Sequence, residues 1–326
     1  MEREAHAARI VVGIDGSNPS ECALRWAAQE AAGRGDALEV VHAWRVPYAM
    51  HPNAQFVDAA IFKDRAVDTL DDAIESLSTI DPAPSDIRGV LAEDDPATAL
   101  VTAAEGAGLL VVGSRGHGGF VGLLLGSVSQ RCVDHAPCPV AVIPSTWDGA
   151  THGRIVVGID GSEASYGALH WAVAEAVRRE ACLDVVNAYG FHQYVSPFGR
   201  TMPIDRDQLE ESSRALLEEM VEGAVGGFGS RPPAVELIAT PMSPVLALLD
   251  TSKGADLLVV GSHGHGVFRG MLTGSVSLQC VHHAHCAVVV VRPPRTSQPD
   301  RTNDSSSAGR HGARLVPDDR SEGGLR

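Results

Sequence analysis

Gly113-Ser114-Arg115-Gly116 is followed, after nine residues, by Gly126-Ser127, and Gly261-Ser262-His263-Gly264 is followed, again after nine, by Gly274-Ser275. Each ruler comes after a short apolar run (109–112, 257–260) and before a helix-like segment. A strand, a glycine-rich loop and a helix start are how proteins wrap backbone around phosphate. Glycine at 113 and 116 permits positive φ and lets a phosphate or ribose approach the main chain without meeting a Cβ. Ser127 offers a hydroxyl, and the N–H groups of Ser127, Val128 and Ser129 would point toward an anion, as would those of Ser275, Val276 and Ser277. Arg115 and His117 are placed to face phosphate in the first loop, and His263 and His265 in the second; Gly118 and Gly119, or Gly266 and Val267, complete each candidate loop. The alternative is a tight turn with an ordinary serine N-cap. Identical spacing in two copies weighs against it, because turns tolerate drift.

Asp15 and Asp160 each follow a β-branched run containing a glycine, Gly13 or Gly158. A carboxylate there could accept hydrogen bonds from a ligand amine or hydroxyl. It could also cap the next helix or hold a turn with Gly16 or Gly161, and the two roles can coexist. His282, His283, His285 and Cys286 look like a metal cluster, but the other copy reads Asp134, His135, Pro137 and Cys138 at these places, so no metal site is expected. The chain has no GxxxxGK[ST] motif, and its only lysines are Lys63 and Lys253. No lysine and magnesium-holding acids assemble as phosphoryl transfer requires. No Ser-His-Asp or Cys-His grouping is evident either, so no catalytic residue is assigned and binding with slow or no turnover is expected.

The elements that position these residues are duplicated. Arg9-Ile-Val-Val-Gly-Ile-Asp-Gly-Ser17 returns as Arg154-Ile-Val-Val-Gly-Ile-Asp-Gly-Ser162, an offset of 145; at Gly113 and Gly261 the offset has become 148. The boundaries read as one domain over 1–144, a polar linker over 145–153, a second domain over 154–294 and a disordered tail over 295–326. In the first copy, strands are predicted at 10–14, 38–44, 87–91, 109–112 and 140–143. Helices are predicted from Pro19, ending at Gly33 and Gly35, then over 57–77, 96–105 and 127–135. This alternation predicts an α/β fold: two tandem Rossmann-like domains, each an open parallel sheet with helices on both faces. If the first and fourth strands are neighbours, Asp15 and the loop 113–126 meet at one crevice, and Asp160 and 261–274 at another. Trp26, Trp44, Trp171 and Tyr189 match across copies, which fits core packing better than base stacking.

The net charge is −15, and five arginines balance five acids from Thr296 onward, so the acidity belongs to the folded part. That argues against DNA or an anionic membrane as partner. No stretch approaches the ~20 apolar residues of a membrane span, and the N-terminus lacks a signal-peptide core, so the cytoplasm is the expected location. The six cysteines form no CxxC pair and read as mostly buried, reduced thiols.

Gly-x-x-Gly-x9-Gly-Ser, the aspartate in Val-Val-Gly-Ile-Asp-Gly-Ser and the ending His-Ala-Pro-Cys-Pro-Val together resemble the universal stress protein family, in particular its tandem two-domain members of actinobacteria. The resemblance covers nearly everything except linker and tail. It implies ATP-binding domains of the adenine nucleotide alpha hydrolase type, with five strands in the order 3-2-1-4-5 and pairing through the fifth, in a homodimer or an intramolecular pseudo-dimer. It also implies that Asp15 and Asp160 contact adenine or ribose, with backbone near Val41 and Val186 holding the base. Gly113, Gly116, Gly126, Ser127 and Ser129 would hold ribose and phosphates, as would Gly261, Gly264, Gly274, Ser275 and Ser277. Copy two has His285-Cys-Ala287 where copy one has Pro137-Cys-Pro139, so a looser approach to its last strand is expected.

The function these readings imply is an ATP-binding stress regulator, with one site per repeat, ATP bound with or without Mg2+, and a regulatory protein partner. The rivals are a slow ATPase or related hydrolase, an interaction scaffold, and a binder of AMP or cyclic AMP.

Overall fold

The computed structural model describes residues 9–46, 58–116, 125–190, 205–227, 232–264 and 273–293. The tail assigned to 295–326 lies outside them, as do His117, Gly118, Gly119, His265, Gly266 and Val267. The first repeat runs β1 (Arg9–Ile14), α1 (Asn18–Arg34), β2 (Ala37–Trp44), α2 (Ala59–Ser76), β3 (Ile87–Glu93), α3 (Pro96–Ala103), β4 (Leu109–Gly113), α4 (Ser127–His135) and β5 (Val140–Ile143). The second runs β6 (Arg154–Gly158), α5 (Glu163–Arg179), β7 (Cys182–Ala188), α6 (Arg206–Val225), β8 (Val235–Thr240), α7 (Pro244–Thr251), β9 (Leu257–Gly261), α8 (Ser275–His283) and β10 (Ala287–Val291). All ten strands form one sheet in the order β3-β2-β1-β4-β5-β10-β9-β6-β7-β8.

Strands within a repeat are parallel, and the central ones are buried on both faces, as their unbroken Val/Ile/Leu runs require. Alternating side chains feed two apolar layers. Ile10, Val12 and Ile14 join Leu24, Trp26, Leu70, Leu169 and Leu217 beneath α1, α2, α5 and α6. Val11 joins Leu100, Cys132, Val133, Leu248 and Cys280 beneath α3, α4, α7 and α8. Cys22, Cys132, Cys138, Cys280 and Cys286 are buried and Cys182 is exposed, all as free thiols. Burial pushes Cys132 and Cys280 up to about 12, and Cys138 and Cys286 up to about 11. Because alkylation needs an accessible thiolate, iodoacetamide at pH 8 is expected to modify one cysteine of the native chain, the exposed Cys182, and the five buried ones only on unfolding. Intact-mass spectrometry checks this count.

The repeats meet where β5 and β10 pair antiparallel, Val140 opposite Val290 and Val142 opposite Val288. Loss of the two prolines in copy two does not loosen this edge. Ala287 pairs with Leu257 and starts β10, whereas β5 starts only at Val140, after Pro139. The linker is pinned as well. The buried Asp256 carboxylate accepts the N–H groups of His152 (2.5 Å), Gly153 (2.8 Å) and Arg154 (3.2 Å), and Trp147 packs against the core.

Helices α1 and α5 face each other across the junction with a buried ionic cluster. Arg34 binds Glu30 (3.1 Å) and Glu175 (2.9 Å); Arg178 binds Glu30 (2.9 Å) and Glu175; Arg179 binds Glu175 (2.5 Å) and Glu30. Trp26 lies beneath the Arg179 guanidinium and Trp171 beneath that of Arg34. Gly33 does not end α1 as its type suggests. It sits inside the helix, where a Cβ would stand 2.8 Å from an Arg178 nitrogen, and Gly35 (φ 71°) makes the actual stop. Among the described residues no helix is long and apolar enough to cross a membrane.

Candidate nucleotide site

The sheet order reverses between β1, with β2 on one side, and β4 on the other, and a cavity of about 470 Å³ opens there. Its wall on the β2 side is apolar: Val41 and Ala43, with Pro96 and Leu100 from α3. Its opposite wall is built from Gly113, Arg115, Gly116, Gly126, Ser127, Val128 and Ser129, with Gly13, Asp15 and Ser20 between. Of the predicted copy-one residues, Gly13, Asp15, Val41, Gly113, Arg115, Gly116, Gly126, Ser127, Val128 and Ser129 line this one cleft; Ser114 does not, and His117, Gly118 and Gly119 lie outside the described residues.

Asp15 is fixed by local chemistry. Its Oδ1 accepts the Ser17 N–H (3.0 Å) and hydroxyl (2.5 Å), a turn that Gly16 permits with φ 76°. Ser17 then caps α1 by accepting the Ser20 N–H. The other carboxylate oxygen, Oδ2, occupies the space a Cβ on Gly116 would fill. The same side chain thus holds the turn and lines the cleft. Asp160 repeats the pattern with Ser162 N (3.0 Å), Ser162 Oγ (2.6 Å) and Gly264.

The start of α4 differs from a serine-capped turn. Gly126 is the N-cap, Ser127 is the first helical residue, and no side chain caps the helix; Gly274 and Ser275 repeat this at α8. By contrast α1, α2, α3, α5 and α6 carry side-chain caps, and α7, also uncapped, has Pro244 as its first residue. An uncapped helix start in a cavity wall leaves N–H groups for an anion. Ser129 and Ser277 contribute differently from Ser127 and Ser275. Their hydroxyls donate to the carbonyls of Gly113 (2.7 Å) and Gly261 (2.5 Å), tying each helix start to its strand end.

The glycines are required for reasons other than positive φ, which neither Gly113 nor Gly116 adopts. A Cβ on Gly113 would stand 2.6 Å from the Pro19 carbonyl oxygen, and one on Gly261 2.8 Å from Ala164 backbone, so the first turns of α1 and α5 demand them. Gly13 and Gly158 make room for Leu100 and Leu248, their nearest would-be contacts at 2.6 and 2.8 Å. Ser114 is buried, its carbonyl accepting the Gly126 N–H (2.8 Å) and its own N–H donating to Ile143 (2.8 Å). Ser262 is fully buried and its hydroxyl meets His263 Nδ1 at 2.9 Å. Val186 is buried in β7 as Val41 is in β2. Sequence reasoning missed Ser20 and Ser165, whose hydroxyls accept the Asp15 and Asp160 N–H groups (both 3.3 Å); their recurrence at offset 145 was the available signal.

The two repeats differ in charge beside the start of α3. In copy one Arg131 of α4 binds Asp95, the α3 N-cap, at 2.5 Å, and Arg45 lies 3.9 Å from the same carboxylate. Against a burial effect that would raise it, the Thr98 N–H and Arg131 hold Asp95 below the usual carboxylate range. Copy two has Ser243 and Gln279 at the places of Asp95 and Arg131. Among the described residues no group of three His, Cys, Asp or Glu side chains could hold a metal ion.

Known proteins share this architecture. Residues 7–144 and 151–292 each match the universal stress protein family. A universal stress protein of Mycolicibacterium smegmatis is 32% identical over 302 residues, covering 90% of this chain and all of that protein. One from Mycobacterium tuberculosis is 34% identical over 308 residues, covering 88% and 95%. Among solved structures, a universal stress protein from Archaeoglobus fulgidus aligns with a TM-score of 0.62 at 18% identity, covering 87% of this chain and 98% of that one, which speaks to the fold alone. Two matching domains and relatives aligned along nearly their whole length lead to one conclusion: the chain belongs to the universal stress protein family, as a tandem two-domain member.

Proposed function

We propose that the chain is an ATP-binding regulator with one adenine-nucleotide site in each repeat and little or no hydrolysis. The observation that carries this reading is the shape of the first cleft. Its apolar wall of Val41, Ala43, Pro96 and Leu100 suits a flat base, and its far wall presents the uncapped start of α4 beside Gly116 and Arg115. Asp15 lies between them, where its carboxylate would accept a hydrogen bond from a ribose hydroxyl or a base amine. The volume of about 470 Å³ falls in the range of small-ligand sites. When bound, ATP supplies the charged phosphates that the helix start receives. Mg2+ would be held by those phosphates and by water, since the cleft offers one carboxylate, Asp15, and its Oδ1 already serves Ser17. Among the described residues that line it the cleft has no lysine and no acid pair, which supports little or no phosphoryl transfer. Bound-state signalling to a protein partner is then the use for such a site.

Equilibrium dialysis of the full chain against ATP, AMP and cyclic AMP, with phosphate release followed in a single turnover, tests the proposal. Retention of ATP in preference to the others, with no phosphate above a buffer control, is the expected result. Equal or better retention of AMP or cyclic AMP would overturn the choice of ligand, and rapid phosphate release would make the protein an ATPase.

A further inference from the structure

One helix reaches both sites. α4 opens at its N-terminus onto the first cleft, and near its other end the Asp134 carboxylate accepts the Thr273 hydroxyl at 2.6 Å. Thr273 belongs to the second repeat, is 6% exposed, and immediately precedes Gly274, the N-cap of α8. The Gly274 N–H in turn donates to the Ser262 carbonyl (2.7 Å), closing the second glycine loop at its base. Asp134 is itself oriented, since Gln130 donates to its other oxygen at 3.0 Å. A second strut runs alongside. Arg292 donates to the Val133 carbonyl at 2.5 Å, and the neighbouring Val291 carbonyl accepts the Ser262 N–H at 2.8 Å.

The duplication makes this bridge informative, because copy one has no means of returning it. The counterpart of Thr273 is Leu125, a buried residue of the apolar layer with no hydroxyl. The counterpart of Asp134 is His282, and that of Arg292 is Pro144. A hydroxyl buried at such a place must find a partner, and its partner comes from the other repeat. Leu125 is seated in the apolar layer, whereas Thr273 is seated by a hydrogen bond to Asp134 of α4.

We propose that Asp134 is a positioning residue for the second nucleotide site, holding through Thr273 the turn that presents the start of α8. The inference rests on the reading of the second cleft as a nucleotide site. It makes site two dependent on the repeat that carries site one, and it gives α4 a lever on the second loop from a helix whose first turn faces ligand in the first.

The test uses the full chain. In an Asp15→Ala background, where calorimetry reads site two alone, Thr273→Val and Asp134→Ala are each expected to weaken ATP binding about five- to tenfold, as loss of one buried hydrogen bond implies. The double variant is expected to be no weaker than either single one, and Thr273→Ser is expected to restore binding. In an Asp160→Ala background, Thr273→Val is expected to leave site one unchanged. Hydrogen exchange in the ligand-free protein provides a readout that needs no nucleotide: both variants should hasten exchange at amides 274–277 and not at 126–129. Unchanged affinity with unchanged exchange, or strictly additive losses, would overturn the inference. Faster exchange at 274–277 in a chain that binds no nucleotide at site two would instead overturn the proposed function there and leave the bridge standing.

Discussion

Replacing Glu175 by alanine is expected to lower the unfolding free energy by about 3–5 kcal/mol, the range for breaking a buried ion pair from one side. The Glu175 side chain is 4% exposed and binds Arg34, Arg178 and Arg179; without it three guanidiniums crowd Glu30 alone. Urea unfolding at pH 7 measures the loss, and a change under about 1 kcal/mol would show that water already screens the cluster. The same residue sets an acid limit. Burial alone would raise its carboxyl, but Arg179, Arg34 and Arg178 outweigh that and hold it down to about 2, from an ordinary 4.5. A folded value below the unfolded one means stability that is present above pH 4.5 and lost as pH falls toward 2. Glu30 is shifted the other way, first by burial and then by the Glu175 charge beside it. The acid loss therefore belongs to Glu175 and should shrink in Glu175→Ala.

Gly116→Val is expected to weaken ATP binding at the first site about 10–100-fold, the cost of losing a charge-assisted hydrogen bond. Any Cβ there meets Asp15 Oδ2, while Oδ1 is anchored by Ser17, so the carboxylate must swing out of its place in the cleft. Gly264→Val should do the same to the second site through Asp160. Each variant should spare the other site, which titration calorimetry can resolve. Gly116 is half-buried and in a loop, so folding should survive, in contrast to Gly113, where a Cβ meets backbone. Wild-type binding by Gly116→Val would remove Asp15 from the site.

Most of the fold was legible because its signals are local and repeated. The strands 109–112 and 140–143 and the helix 127–135 stand nearly as their residue patterns predict, since each is a short apolar run or a glycine-serine start. The cleft was legible on the condition that the first and fourth strands are neighbours, a condition the family resemblance implies and the β1–β4 pairing meets. What escaped depends on partners far away in the chain. Gly33 read as a helix stop because its reason, Arg178, sits 145 positions on. Gly113 read as a place for positive φ when the Pro19 carbonyl is what excludes a Cβ. The exchange of Leu125 for Thr273 was visible as a difference between copies, but its meaning required Asp134 beside it.

Two repeats, each with an aspartate over a glycine and an uncapped helix start, make a nucleotide count the decisive observation. Native mass spectrometry of the full chain, titrated with ATP, reads that count directly. The expected result is two adenine nucleotides per chain, one lost in Gly116→Val and the other in Gly264→Val. A chain that stays empty in millimolar ATP would contradict the account.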